Sequence, residues 1–252
     1  MTKAASHSGL ASAVSADRAG LRHTAVVRVT HWITTLCFFA LLVSGVELVI
    51  SHPRFYWGEA GNVQTPSLFD LPIPSSRSIV KTGYKFVLPD QNGWSRYLHF
   101  QSAWLLVFTG LCYGIYGLRS RHFRIHLAPA RADLSWSVLG REIADHLRLK
   151  PSAGSGASYN LLQRLTYLIV IFVLFPLMIW TGLAMSPGFT SAFPITVTTF
   201  GGQQSARTIH FFLTLVLSLF VLVHILMISV TGFKARMRAM ITGRTGTTQP
   251  QP

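Results

Sequence analysis

Four histidines sit where histidine is expensive. His31, His99, His210 and His224 lie within long apolar stretches, whereas His7, His23, His52, His122, His126 and His146 fall in tails and loops and read as ordinary polar residues. An ionisable side chain inside a membrane span is costly and is a functional candidate by default. A single such imidazole can instead serve as an interhelical hydrogen bond. Four of them, matched in depth as two pairs, point to metal ligation. His210 and His224 are 14 residues apart. At ~100° per residue they return to within about 40° of one helix face, and they stand roughly 21 Å apart along the axis. That geometry suits two haems stacked across a bilayer, each held by two imidazoles from neighbouring helices. Zinc is the weaker alternative, because it prefers more than two strong ligands.

An arginine stands three residues before three of these histidines: Arg28 before His31, Arg96 before His99, and Arg207 before His210. Residues at i and i+3 share a helix face. Each arginine could meet a haem propionate in a charge-assisted hydrogen bond, or simply anchor its helix at the interface. Gly45 lies 14 residues after His31, and Gly110 and Gly114 lie 11 and 15 after His99. They fall at the level of the opposite pair, where a second macrocycle needs room.

The elements that must position these residues are four spans, about Val29–Ile50, Tyr97–Leu118, Leu165–Met185 and Ile209–Val230. A bilayer core calls for roughly 20 mostly apolar residues per helix. Composition agrees: the 252 residues are 50% hydrophobic and only 12% charged, against about 25% charged in soluble domains. A soluble or disordered chain is excluded. Two cysteines, Cys37 and Cys112, both in apolar runs, exclude a disulfide framework and a cysteine-rich metal site. The first apolar run is too long for a secretory leader and no A-x-A site follows it. Pro176 is a lone interruption, not the paired breaks of transporter repeats. Gly201-Gly202 reads as a loop, not a phosphate cradle.

Charge sets the expected orientation. Sixteen Lys and Arg fall in the N-terminal tail, the loop between spans two and three, and the C-terminal tail, and six fall on the other side. The positive-inside rule then puts both termini in the cytoplasm. His99 and His210 become the outer pair, His31 and His224 the inner pair. The net charge of +14 reflects this topology and anionic lipid rather than nucleic acid. The expected organisation is a flexible cytoplasmic tail over 1–24, an all-α integral membrane four-helix bundle over 25–238, and a second flexible tail over 239–252. The long outer loop, 51–96, is expected to dock a partner; Phe55, Tyr56 and Trp57 would otherwise be interfacial anchors. Trp136–Leu149 reads as an amphipathic inner helix. Glu47 reads as a snorkelling or partner-facing group near the outer interface.

The four spans, the R-x-x-H-W start at Arg28–Trp32 and the H-x13-H pair in the last span resemble the bacterial di-haem cytochrome b-561 family. That group includes the membrane subunits of formate dehydrogenase, nickel–iron hydrogenase and thiosulfate reductase. The resemblance covers 25–238. The segment His52–Asn62 (HPRFYWGEAGN) is most similar to the thiosulfate-reductase branch, whose members often work with periplasmic molybdenum enzymes. The resemblance implies axial ligation by His31, His99, His210 and His224, the set the spacing selects. It also implies a quinone site beside the inner haem, with Asn160 and Gln163 as hydrogen-bonding groups, or else a helix cap at Ser158 or Asn160. The implied function is a di-haem b-type cytochrome subunit of the bacterial inner membrane. It would carry electrons between a periplasmic redox protein and the quinone pool of a respiratory chain, with no substrate chemistry of its own beyond quinone. A self-contained quinone oxidoreductase is the alternative, and a non-haem transporter or sensor the third reading.

Overall fold

The computed structural model describes residues 23–62, 64–73, 91–121, 123–129, 135–147, 161–230 and 232–244. Helices α1 (Ala25–Ser51) and α2 (Gln91–Arg119) are followed by a π-helical turn, Phe123–Leu127, and by α3 (Trp136–Leu147). The third span combines α4 (Leu161–Ile169), a π-helical turn (Val170–Leu174) and α5 (Phe175–Ala184). Short helices α6 (Pro187–Ala192) and α7 (Ile195–Thr198) lead into α8 (Gln203–Val230), and α9 (Phe233–Thr242) follows. Four helices are long and apolar enough to cross a membrane. Each begins several residues before the expected span, because a first turn that carries residues such as Arg28, Gln163 or Gln203 is helical without being wholly apolar. In α1 that turn starts at Thr24, whose hydroxyl accepts from the Val27 N–H at 3.5 Å. Helix α9 takes in the first four residues, 239–242, of the expected C-terminal tail.

Pro176 explains the π turn in the third span. Proline lacks an N–H, and its ring crowds the carbonyl four residues back. The Phe175 N–H reaches back to Val170, so the wider turn absorbs the defect just before the proline.

Backbone packing is close within two pairs, α1 against α2 and α5 against α8. Small hydroxyl residues allow it: Ser44, Ser95, Thr181, Ser205 and Thr208 are all fully buried. Large apolar side chains such as Leu36, Phe108, Leu219 and Leu222 face outward, which suits lipid and would be untenable in water.

Each end of the bundle is closed by chain segments that satisfy helix termini. The described ends of the chain meet at one end. There Trp32 donates its indole N–H to the Met240 carbonyl at 3.3 Å, and Arg28 donates to Ile241 at 2.7 Å. Gly232, at φ +110°, makes the turn that lets α9 fold back. The Glu142 carboxylate of α3 accepts from the Leu161 and Leu162 N–H groups at 3.3 and 2.7 Å, so it caps α4. The alternative cap residues Ser158 and Asn160 lie outside the described residues.

The opposite end is covered by residues 52–62 and 64–73. Two short antiparallel strands, β1 (Arg54–Phe55) and β2 (Phe69–Asp70), pair Arg54 with Asp70 and Phe55 with Phe69. Phe55 is 1% exposed, stacked 4.7 Å from Phe69 and tilted 4.5 Å from Phe211 of α8. The anchor reading of Phe55 and Tyr56 is therefore corrected: both are buried, and Trp57 alone of the three stays out, 59% exposed. Residues 74–90 of this loop lie outside the described residues.

Glu142→Ala should lower stability by about 1 kcal/mol, the usual worth of a helix cap. Thermal unfolding in detergent would register this as a reduced Tm, with Arg141→Ala on the exposed side of α3 as the unaffected control.

Candidate functional site

At the end covered by residues 52–73, His99 of α2 faces His210 of α8. Their ring centroids are 6.3 Å apart and their planes 56° apart. Both Nδ1 atoms are engaged, His99 with the Ser44 hydroxyl at 3.0 Å and His210 with the Thr181 hydroxyl at 2.9 Å. The Ser44 hydroxyl has one hydrogen and donates it to the Ala40 carbonyl at 2.7 Å. Thr181 donates likewise to its own helix, with Leu177 and Met178 carbonyls both at 2.9 Å. Each hydroxyl oxygen is thus the acceptor and each Nδ1–H the donor. The Nε2 atoms keep their lone pairs, the form in which neutral imidazole binds a metal.

The spacing fits one metal between the rings. A first-row metal sits about 2 Å from an imidazole nitrogen, which puts two rings across a single ion at about 6 Å between centroids. Among the described residues no group of three or more His, Cys, Asp or Glu side chains could hold a bare ion. A haem brings its own four equatorial nitrogens and needs only two protein ligands, so it fits this donor set. Glycine adjoins each ring: a Cβ at Gly45 would lie 3.6 Å from His99 Cε1, and one at Gly182 equally 3.6 Å from His210 Cε1, in ordinary van der Waals contact.

At the other end, His31 of α1 and His224 of α8 lie within electrostatic reach of each other. His31 meets Trp32 edge-on at 5.4 Å. His224 lies against Phe220 at 5.8 Å and meets Tyr167 edge-on at 6.5 Å. His31 Nδ1 and Arg28 Nε are both buried without a hydrogen-bond partner. Orphaned buried polar atoms are rare and call for a reason; a polar group of a bound cofactor would supply one.

The other expected residues are scattered. Arg207 donates to the Arg54 carbonyl at 2.9 Å and to the His52 carbonyl, and its guanidinium lies 4.7 Å over the Phe55 ring. Its hydrogen bonds therefore go to the covering segment. Arg96 is exposed near the start of α2, and Gln163 is half-buried in the first turn of α4. Asn160 lies outside the described residues. A Cβ at Gly110 or Gly114 would meet nothing within 4 Å.

Sequence reasoning missed Ser44, Thr181 and Gly182, as well as the cap on α8. Gly58 accepts through its carbonyl from the Gln204 and Ser205 N–H groups at 3.0 and 3.2 Å. Its own N–H donates to Ser205 Oγ at 2.7 Å, and the Glu59 carboxylate accepts from the Gln203 N–H at 3.3 Å. The Thr208 hydroxyl donates to the Tyr56 carbonyl at 2.8 Å. Gly202, at φ +132°, is pressed so close to the Gly58–Glu59 backbone that no side chain fits. The first-turn donors of α8, orphaned in an isolated helix, are thus met by the covering segment within two turns of His210.

The family model for prokaryotic cytochrome b561 matches residues 22–243. A relative from Azospira oryzae, named as a candidate protein-methionine-sulfoxide reductase subunit (YedZ1), is 27% identical over 226 residues, covering 88% of this chain and 96% of its own length. No solved structure matches the chain.

Arg207→Ala should release the His52 and Arg54 carbonyls. Amide hydrogen exchange over 52–59 is then expected to quicken severalfold, with no change in Arg119→Ala. Unaltered exchange in the Arg207 variant would show that the segment is held by other contacts.

Proposed function

The chain belongs to the prokaryotic cytochrome b561 family, and from that premise we propose that it binds two b-type haems and carries electrons between the quinone pool and a periplasmic redox enzyme. The chain is a multi-pass membrane haem protein of the bacterial inner membrane, with four helices long and apolar enough to cross a membrane.

One observation carries the reading: two imidazoles at 6.3 Å, each with its Nδ1 on a hydroxyl. In this reading His99 and His210 hold the outer haem and His31 and His224 the inner one, with both termini cytoplasmic as the charge distribution argues. Arg28 offers the inner haem a buried Nε without a partner. Arg96 serves as a cation at the outer level, while Arg207 acts through the covering segment. Haem supplies the one-electron carrier; ligation, burial and orientation are the protein's contribution.

Quinone is placed beside the inner haem. Tyr167, which meets His224 at 6.5 Å, lies one helical turn beyond Gln163. The first turns of α4 therefore adjoin the inner pair, and Gln163 with Asn160 offers donors and acceptors to a quinone oxygen. The Azospira oryzae relative is named as a reductase subunit. By that likeness we assign this chain a periplasmic reductase as partner, with molybdenum oxidoreductases the candidate class. With a reductase as partner, haems held by His31–His224 and His99–His210 would supply one-electron carriers between a quinol site and that partner. The covering segment with exposed Trp57 is the surface the partner would meet.

Ligand variants test the assignment. His224→Ala should leave one haem per chain, and so should His99→Ala, each losing a different one. Retention of both haems in either variant would sink that pair. Copurification of a periplasmic redox protein should depend on residues 52–73; quinol oxidation with no protein partner would favour the self-contained oxidoreductase instead.

A further inference from the structure

The two helix pairs treat their outer histidine in the same way. In the first span of each pair a hydroxyl residue is followed at once by glycine: Ser44-Gly45 in α1 and Thr181-Gly182 in α5. Each hydroxyl donates to its own helix and accepts from Nδ1 of the histidine on the next span, at 3.0 and 2.9 Å. Each glycine faces Cε1 of that same ring, with an identical 3.6 Å from a would-be Cβ. Both hydroxyl residues are 0% exposed. The inner pair lacks this device at His31, whose Nδ1 has no partner.

In each case Nδ1 is held by a hydrogen bond, and Cε1 lies on the side of the following glycine. Together with the attachment through Cβ, that determines rotation about the last side-chain torsion. A ring so held has one tautomer and one plane. The acceptor also matters electronically: a hydrogen bond from the far N–H makes an imidazole a stronger donor to its metal. A stronger donor favours the oxidised iron, so losing the acceptor favours the reduced one.

Resting on the reading of His99 and His210 as haem ligands, we propose that Ser44 and Thr181 are positioning residues of the outer haem. They set the tautomer and the mutual angle of its two axial imidazoles, and through them its potential relative to the inner haem.

The test uses the purified full-length holoprotein and the variants Ser44→Ala, Thr181→Ala and Thr181→Ser. Redox titration resolved into two haem components would be combined with electron paramagnetic resonance of the oxidised protein. Both alanine variants should move the same one of the two haems. Its midpoint should rise by roughly a tenfold change in the one-electron equilibrium, about 59 mV, and its low-spin signal should change as the ring angle relaxes. The other haem should stay in place, and Thr181→Ser should restore the parent values. Should Ser44→Ala fail to assemble, the comparison of Thr181→Ala with Thr181→Ser decides the matter alone. Unchanged midpoints and signals in the alanine variants, or effects on different haems, would overturn the proposal. His99→Ala separates the two levels of the argument. If it loses a haem while the hydroxyl variants are silent, only the positioning role fails; if it keeps both haems, the ligand reading itself fails.

Discussion

An imidazole buried in an apolar bundle has two ring nitrogens and no water to satisfy either. Leaving such groups unmet in a bilayer costs several kcal/mol each, as an order of magnitude. At the level of His99 and His210 the protein answers for one nitrogen per ring with a hydroxyl, Ser44 for His99 and Thr181 for His210. That choice leaves the second nitrogen of each ring as a lone pair. The rest of the architecture follows from keeping those lone pairs available. The backbones approach closely within the α1–α2 and α5–α8 pairs, while the histidines of different pairs meet through their rings. Small residues line the approach, and the bulky apolar side chains are turned outward.

The same accounting governs the ends of the bundle. A helix leaves four N–H and four C=O groups unmet at its termini, and here distant chain segments meet several of them. Gly58 and Glu59 satisfy the start of α8, Glu142 the start of α4, and Trp32 and Arg28 the end of α9. The covering segment is consequently tied to the helix that carries His210, through Ser205, Arg207 and Thr208. In the proposed reading a partner resting on this segment would press on the scaffold of the outer haem, with no intervening domain.

Much of this was legible in the residues. Four spans stand out because a long apolar run has few alternatives, and their histidines stand out because charge is so costly there. The paired depths follow from where each histidine sits in spans that alternate in direction, together with the helix rise between His210 and His224. Ser44 and Thr181 were hidden, because serine and threonine commonly bond back to their own helix in a span and nothing in their spacing singles them out. Arg207 read as a propionate partner because i,i+3 geometry reports a shared face and not what folds over it. The alternative reading of Phe55 and Tyr56 as anchors arose for the same reason: an aromatic near an interface looks alike whether it faces lipid or a strand packed on α8. Glu142 caps a helix nineteen residues away, a contact that local patterns do not encode.

The central claim is that two bis-histidine sites lie one above the other in a single chain. The most direct measurement is haem per chain in the purified protein, with a dithionite-reduced minus oxidised spectrum. The account predicts two b-type haems for each polypeptide. One haem would remove one of the two sites, and none, after expression with ample haem, would contradict the electron-transfer account altogether.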